Sequence, residues 1–252
     1  MAPNPGPMTL SGTNTYVVAD TAGHVAVIDP GPDDPRHLEA IAQAAESLGR
    51  VTAVLVTHRH LDHLPAAQPV CERTGATLSG HAALPGVQKH LADGDVAFGA
   101  LRALETPGHT RESLCFWDPD EGALFTGDLV VGMGTVIVDD EPGGLSQYMA
   151  SLDRLIGLRP RTIYPGHGPI VDDAVGKLTE YRQHRRQRER QIVDVLATRG
   201  AASVEELVLA IYTDVPANLA AMAARNVRAH LDKLASEGAA FATADDRWQL
   251  SR

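Results

Sequence analysis

Apolar and polar positions follow two different periods along the first part of the chain. Thr15-Tyr-Val-Val-Ala19 and His24-Val-Ala-Val-Ile-Asp29 are short β-branched runs, which predict two strands joined by a turn at Asp20-Thr-Ala-Gly23. Between residues 35 and 48 the period lengthens. Leu38, Ile41, Ala42, Ala45 and Leu48 recur at spacings of three or four, which predicts a helix with Gly49 as its stop. Thr52-Ala-Val-Leu-Val-Thr57 is apolar and ends in a polar residue, as expected of a buried strand that opens at a site. Strand-like runs follow at 101–105, 113–117 and 122–126, then a helical segment at 145–157 and a last strand at Thr162-Ile-Tyr164. This mixture predicts an α+β protein with sheets covered by helices. Residues 1–12, rich in Pro and Gly, read as a loose lead-in.

From Ala174 the pattern is helical. Residues 182–191 hold five arginines and no large apolar side chain, so a helix there is exposed or bridges two domains. Ser203 and Glu206 form a capping-box pattern ahead of Leu207-Val-Leu-Ala-Ile211. After a turn at Asp214-Val-Pro216, Leu219, Met222, Val227, Leu231 and Leu234 mark an amphipathic helix ended by Gly238. Ala239–Thr243 and Arg247–Leu250 predict a small hairpin. Helix, turn, helix, hairpin outlines a winged helix-like unit, so we divide the chain into residues 1–174 and 175–252.

Charge sharpens that division. The whole chain carries −10, which argues against non-specific nucleic-acid binding over its entire surface. Residues 1–174 hold 10 Lys and Arg against 22 Asp and Glu, a net of −12; residues 175–252 hold 12 against 10, a net of +2. No run approaches the ~20 apolar residues of a membrane span. The first residues carry neither a basic nor an apolar leader pattern, so a cytoplasmic location is expected. Two cysteines, Cys71 and Cys115, make no disulfide framework and are expected to be buried thiols.

One segment carries dense chemistry. Thr57-His58-Arg59-His60-Leu61-Asp62-His63 places four metal-capable side chains within six residues, directly after the buried strand. Imidazole suits zinc, and carboxylate oxygen also ligates it. His58 and His60 are two apart, so in an extended segment they point the same way and can grip one ion. Asp62 and His63, further along a turning chain, can face a second. Thr106-Pro-Gly-His109-Thr, Thr126-Gly-Asp128 and Tyr164-Pro-Gly-His167-Gly each follow a strand-like run and set one ligand-type residue beside a glycine. Glycine lets backbone approach a crowded site. No Ser-His-Asp or Cys-His signature competes.

His-x-His-x-Asp-His, followed in order by Gly-His, Gly-Asp and Gly-His, resembles the signature of the metallo-β-lactamase superfamily over about residues 13–170. The resemblance implies an αββα sandwich with metals at one edge. It implies two zinc ions, other divalent metals being possible: one held by His58, His60 and His109, one by Asp62, His63 and His167, with Asp128 between them. Asp29, in Ile-Asp-Pro-Gly, resembles the family's aspartate that orients the ligand loop. Two ions about 3.5–4 Å apart lower the pKa of bound water to about 7 and neutralise charge developing on a substrate. Asp62 is the expected catalytic residue, accepting a hydrogen bond from that water and aiming it.

The β-lactamases of the best-known class carry a cysteine where this chain has Asp128, so the chain looks like the binuclear thioesterases, ribonucleases and phosphodiesterases instead. Thr13-Asn-Thr-Tyr16, Gly134-Thr135, Tyr148-Met-Ala-Ser-Leu152, Tyr164–Pro169 and the region Asn218–Gly238 resemble the β-lactamase-like protein 2 family, which includes an endoribonuclease acting on single-stranded RNA. The acidic insertion Asp139–Gly144 departs from it. On this resemblance, hydrolysis of RNA phosphodiester bonds is expected. Arg182, Arg185 and Arg186, on one helical face, would then hold phosphates. A small-molecule thioester or ester hydrolase of glyoxalase II type is the alternative. A winged-helix nucleic-acid regulator and a single-iron oxygenase are further readings. The helical tail suggests a homodimer.

Overall fold

Alternating side chains build two sheets that share one core. In the computed structural model, which describes residues 1–138, 143–213 and 219–251, the first sheet orders β1 (Tyr16–Ala19), β2 (His24–Ile28), β3 (Arg50–Leu55), β4 (Thr77–Gly80) and β5 (Lys89–His90) side by side. β1 and β2 form an antiparallel pair; β2 through β5 run parallel. Helices α1 (Pro35–Glu46) and α2 (Ala67–Thr74) make the crossovers. The second sheet contains β6 (Val96–Phe98), β7 (Leu101–Glu105), β8 (Leu114–Asp118) and β9 (Ala123–Gly127), all antiparallel. After α3 (Gly144–Leu158), β10 (Thr162–Pro165) joins parallel to β9.

Period-two alternation decides what each face buries. Ala26, Ile28 and Leu55 of the first sheet pack against Ala103, Leu114, Phe116 and Phe125 of the second. Val27 and Val54 point the other way, onto Leu38 and Ile41 of α1 and Val70 of α2. On the far side Leu104, Cys115 and Trp117 meet Tyr148, Leu152 and Leu155 of α3. Each fully buried Leu or Ile contributes about 1.5–3 kcal/mol. The result is the expected αββα sandwich. Cys71 and Cys115 are free, buried thiols, and burial pushes Cys115 up to about 12, which leaves it inert.

Helix α4 (Ala174–Arg199) explains the arginine-rich stretch. Its first turns place Leu178 and Tyr181 in the sandwich's outer core. Its last turns place Ile192 and Leu196 in a separate core with α5 (Val204–Ile211), α6 (Ala220–Ser236) and the hairpin of β11 (Ala240–Ala242) and β12 (Trp248–Leu250). The helix therefore bridges two cores, and the polar middle is the span between them. The Ser203–Glu206 capping box is formed in both directions.

The N-terminal segment differs from expectation. Residues 1–12 are not a loose lead-in. Ala2 is buried and donates its N–H to Thr13 O at 2.7 Å, and Asn4 hydrogen-bonds Thr13 through side chain and backbone. Pro and Gly here shape a strap whose polar groups are satisfied internally. α2 and β4–β6 went unpredicted because each is short. The turn at Asp214–Pro216 and the acidic residues 139–142 lie outside the described residues. Among the described residues no helix is long and apolar enough to cross a membrane.

Candidate metal centre

The strand directions bring every ligand-type residue to one edge. Asp29 follows β2, Thr57–His63 follows β3, His109 lies beyond β7, Asp128 follows β9 and His167 lies beyond β10. β2 and β3 run parallel, and β7, β9 and β10 share one direction, so all these loops emerge together. The glycine of the last loop is sterically required. A side chain on Gly166 would overlap Asp128 Oδ1 and come within 2.8 Å of His63 Cε1.

The side chains form two groups sharing one carboxylate. His58, His60, His109 and Asp128 offer donor atoms all within 4.8 Å of one another, as do Asp62, His63, Asp128 and His167. His58 Nε2 and His109 Nε2 each lie 3.0 Å from His60 Nδ1. His63 Nε2 and His167 Nε2 are 3.4 Å apart. One proton cannot bridge three nitrogens, whereas nitrogens bound at ~2.0–2.1 Å to a tetrahedral ion sit about 3.3 Å apart. Asp128 Oδ1 is buried without hydrogen-bond geometry to any described partner, 3.4 Å from His63 Nε2, and Oδ2 lies 3.2 Å from His167 Nε2 and 3.8 Å from His109 Nε2. These donors fit a pair of divalent cations.

The outer nitrogens fix which lone pairs face inward. His63 Nδ1 lies 2.8 Å from Asp29 Oδ2, His109 Nδ1 lies 2.9 Å from Ile137 O, and His167 Nδ1 lies 3.3 Å from Gly12 O. Each acceptor takes the Nδ1 hydrogen, so Nε2 is the nitrogen that would serve a metal once its own proton is displaced. His58 Nδ1 lies 2.9 Å from Thr57 Oγ1, whose own hydrogen goes to Asp29 Oδ2 at 2.7 Å. Asp29 thus holds both ends of the ligand loop. It also accepts Thr57 N–H at 2.8 Å, and it does so from a left-handed backbone conformation, φ +48°.

Charge in the cluster is polarised. Burial and the nearby His63 ring hold His58 well below the usual histidine value. Burial opposes protonation of His63 too, but the carboxylates of Asp128 and Asp29 outweigh it and raise His63 well above that value. His167 is raised to about 9 against burial, by hydrogen bonds to Asp128 and Asp62. Asp62 and Asp128 are held below the usual carboxylate range against burial, Asp62 by His167 and His63, Asp128 by His63 and His167. Three carboxylates gather positive charge at this point, as a cation-binding site requires.

A cavity of about 510 Å³ opens over the cluster. His60, Asp62, His109, Asp128 and His167 line it, with Met8, Leu61 and Ile137 as apolar wall and Arg59 and Arg225 beside them. Arg59 is anchored at 3.2 Å on the buried carboxylate of Glu112. The contributors that escaped sequence reasoning include three from distant segments. Thr13 Oγ1 donates to Asp62 Oδ2 at 3.1 Å, Met8 comes from the N-terminal strap, and Arg225 comes from α6 of the C-terminal unit. None follows a strand-like run, the signal that revealed the others.

The arginines expected to hold phosphate do not form one solvent face. Arg185 is 2% exposed, with Nη2 on Val136 O and Thr135 Oγ1 and Nη1 on Asn226 Oδ1. Arg182 is paired with Asp153 at 2.8 Å. Arg186 alone of the three is exposed. Helical spacing set them on neighbouring positions, but α3 and α6 pack onto that side of α4 and turn Arg185 inward.

Known proteins agree with this architecture. The model of the metallo-beta-lactamase superfamily matches residues 8–87 and 78–167, and that of the beta-lactamase associated winged helix domain matches residues 203–248. The Caenorhabditis elegans beta-lactamase-like protein 2 homolog is 32% identical, over 93% of this chain and 82% of the relative. An atrochrysone carboxyl ACP thioesterase from Aspergillus fumigatus is 37% identical, over 86% of this chain and 73% of the relative. The crystal structure of a beta-lactamase domain protein from Burkholderia ambifaria shares the fold at TM-score 0.83 and 21% identity, covering 98% of this chain and 89% of that one. Donor set, sandwich and appended winged helix together make this chain a member of the metallo-beta-lactamase superfamily of metal-dependent hydrolases.

Proposed function

We propose that the chain hydrolyses thioesters or activated esters of small anionic molecules, with two divalent ions, zinc in the first instance, held by His58, His60, His109 and Asp128 and by Asp62, His63, Asp128 and His167. The observation that carries this reading is the cavity. Its volume suits a small molecule, its wall is apolar at Met8, Leu61 and Ile137, and the arginines lining it among the described residues are Arg59 and Arg225. A bound ion pair would supply a nucleophilic water at neutral pH and neutralise developing negative charge.

The residues around it do the rest. Asp62 stays anionic and would accept a hydrogen bond from the attacking water and aim it, while the Thr13 hydroxyl holds Oδ2 in place. The apolar wall accommodates an acyl chain. Of the hydroxyls lining the cavity, Thr9 Oγ1 donates to Asn4 O at 2.6 Å and Thr110 Oγ1 shares a hydrogen bond with Ser113 Oγ at 2.8 Å, so neither is set to protonate a leaving group. A thiolate suits such a site, because thiols ionise near pH 8.5 and leave without a strong acid beside them.

Hydrolysis of single-stranded RNA is the second reading. Arg59 and Arg225 beside the candidate metals favour it, since guanidinium groups bind phosphate well. The tied-up arginines of α4 and the net charge of −12 on residues 1–174 weigh against a long nucleic-acid track. The test sets zinc-loaded protein against acyl-glutathione, acyl-pantetheine and acyl-CoA thioesters and single-stranded RNA, with Asp62→Ala as control. Thioester turnover that Asp62→Ala abolishes is the expected result. RNA cleavage without thioester turnover overturns it in favour of the second reading.

A further inference from the structure

Arg185 lies where α4 passes from the sandwich to the C-terminal unit, buried to 2% exposure. A charge buried this deeply demands compensation from all sides. Its partners among the described residues are neutral. Nη2 donates to Val136 O at 2.5 Å and Thr135 Oγ1 at 3.2 Å, and Nη1 donates to Asn226 Oδ1 of α6 at 3.3 Å. The guanidinium lies 5.3 Å from the centre of the Tyr148 ring, whose hydroxyl donates to Leu129 O at 2.8 Å. Two of these partners, Thr135 and Val136, belong to the loop that leads into Ile137.

Ile137 holds a candidate ligand. Its carbonyl takes the Nδ1 hydrogen of His109 at 2.9 Å, and His109 Nε2 then points to within 3.0 Å of His60 Nδ1. Val136 C=O and Ile137 N–H share one planar peptide unit. Clamping the Val136 carbonyl therefore fixes the peptide plane on the N-terminal side of Ile137, so that only φ and ψ of Ile137 separate the clamped plane from the carbonyl that holds His109. We propose that Arg185 is a positioning residue for His109: by fixing the 135–137 backbone it orients the imidazole, and so sets the affinity of the metal site that His109 shares with His58 and His60. The seating of α4 and α6 is thereby coupled to one of the two metal positions and not to the other. Acceptors of this kind, one bond behind a ligand, commonly alter metal affinity 10–100-fold.

This inference rests on His109 being a metal ligand, and the experiment separates the two. Full-length protein is stripped of metal and titrated with zinc against a chromophoric chelator, alongside melting of the metal-free protein. Wild type is expected to bind two equivalents and His109→Ala to lose tight binding of one. Arg185→Lys keeps the charge but loses the fork of donors; it is expected to weaken that same equivalent about 10-fold and leave the other unchanged. Thr135→Val, at an exposed position, removes one acceptor and is expected to weaken it about threefold without moving the melting temperature. If Arg185→Lys does not fold, Thr135→Val alone decides. Wild-type affinity for both equivalents in the folded variants overturns the inference, as does equal weakening of both in step with a lower melting temperature. Loss of neither equivalent in His109→Ala instead overturns the metal reading itself.

Discussion

Asp29 Oδ2 lies 2.8 Å from Nδ1 of His63 while the same oxygen takes the Thr57 hydroxyl at 2.7 Å, so one buried carboxylate reaches both ends of the ligand loop. Asp29→Ala is expected to leave Thr57 N–H and two side-chain donors unpaired and to lower metal affinity about 10–100-fold. Asn tolerates the positive φ of this position and keeps its shape. It presents an amide N–H₂ beside one acceptor oxygen, so it cannot serve all three donors. Asp29→Asn should therefore weaken the site containing His63 more than the site containing His60. Competitive chelation on both variants checks this; equal losses at the two sites would contradict it.

The Thr13 hydroxyl, which accepts from Asn4 Nδ2 at 3.0 Å, is expected to act on Asp62 alone among the candidate ligands. It is buried and donates to Asp62 Oδ2, the oxygen that also lies 3.1 Å from His167 Nε2. Thr13→Val keeps the volume and removes the donor. A hydrogen bond to a charged group is worth about 1.5–3 kcal/mol, so kcat should fall by about tenfold or more. Two metal equivalents should still bind, because no candidate ligand atom is removed. A kcat that is unchanged in the metal-loaded variant would remove Thr13 from the machinery.

What the sequence displayed, and what it hid, follows from distance along the chain. His58, His60, Asp62 and His63 were legible because they are local, and His109, Asp128 and His167 because each follows an apolar run and abuts a glycine. The two periods showed sheets covered by helices, and the αββα order came only with the family resemblance of the ligand motifs. Arg185 was not: helical spacing gives a residue's face but not what covers it, and its cover, Thr135 and Asn226, lies about 40–50 residues away on either side. The role of Thr13 was equally hidden, since its partner Asp62 is 49 residues on. Short elements such as β5, two residues long, carry too few positions to show any period.

Acid should loosen the joint around α4. Burial, with Arg185 and Arg188 nearby, lowers His184 to about 4, and burial lowers His230 as well. A histidine depressed in the folded state is protonated first in the unfolded chain. The fold therefore loses stability as pH falls from about 6.5 towards 4, and gains nothing from these groups above 6.5. His63 and His167 are raised and act in the opposite window, contributing fully below 6.5 and losing that contribution as pH rises through their folded-state values, about 9 for His167. Metal-free His184→Gln should therefore melt with a shallower decline between pH 6.5 and 4 than wild type. Parallel curves would show that His184 stays solvated enough to titrate normally.

Arg225 tests whether the C-terminal unit shares in substrate recognition. It belongs to α6, yet its side chain lines the same cavity as His60, Asp62 and Asp128. If it holds an anionic part of the substrate, Arg225→Met removes binding that is equal in the ground and transition states. Such a loss raises KM and leaves kcat nearly unchanged. A charge-assisted hydrogen bond of about 1.5–3 kcal/mol predicts a rise in KM of about tenfold or more for acyl-glutathione or acyl-CoA. A neutral thioester of the same acyl group lacks the anion and should show no change. Metal content should also match wild type, because Arg225 contributes no donor atom. Equal rises for the charged and neutral thioesters would show instead that Arg225 shapes the cavity wall, and the anion would then have to be sought at Arg59, which Glu112 holds beside the same opening.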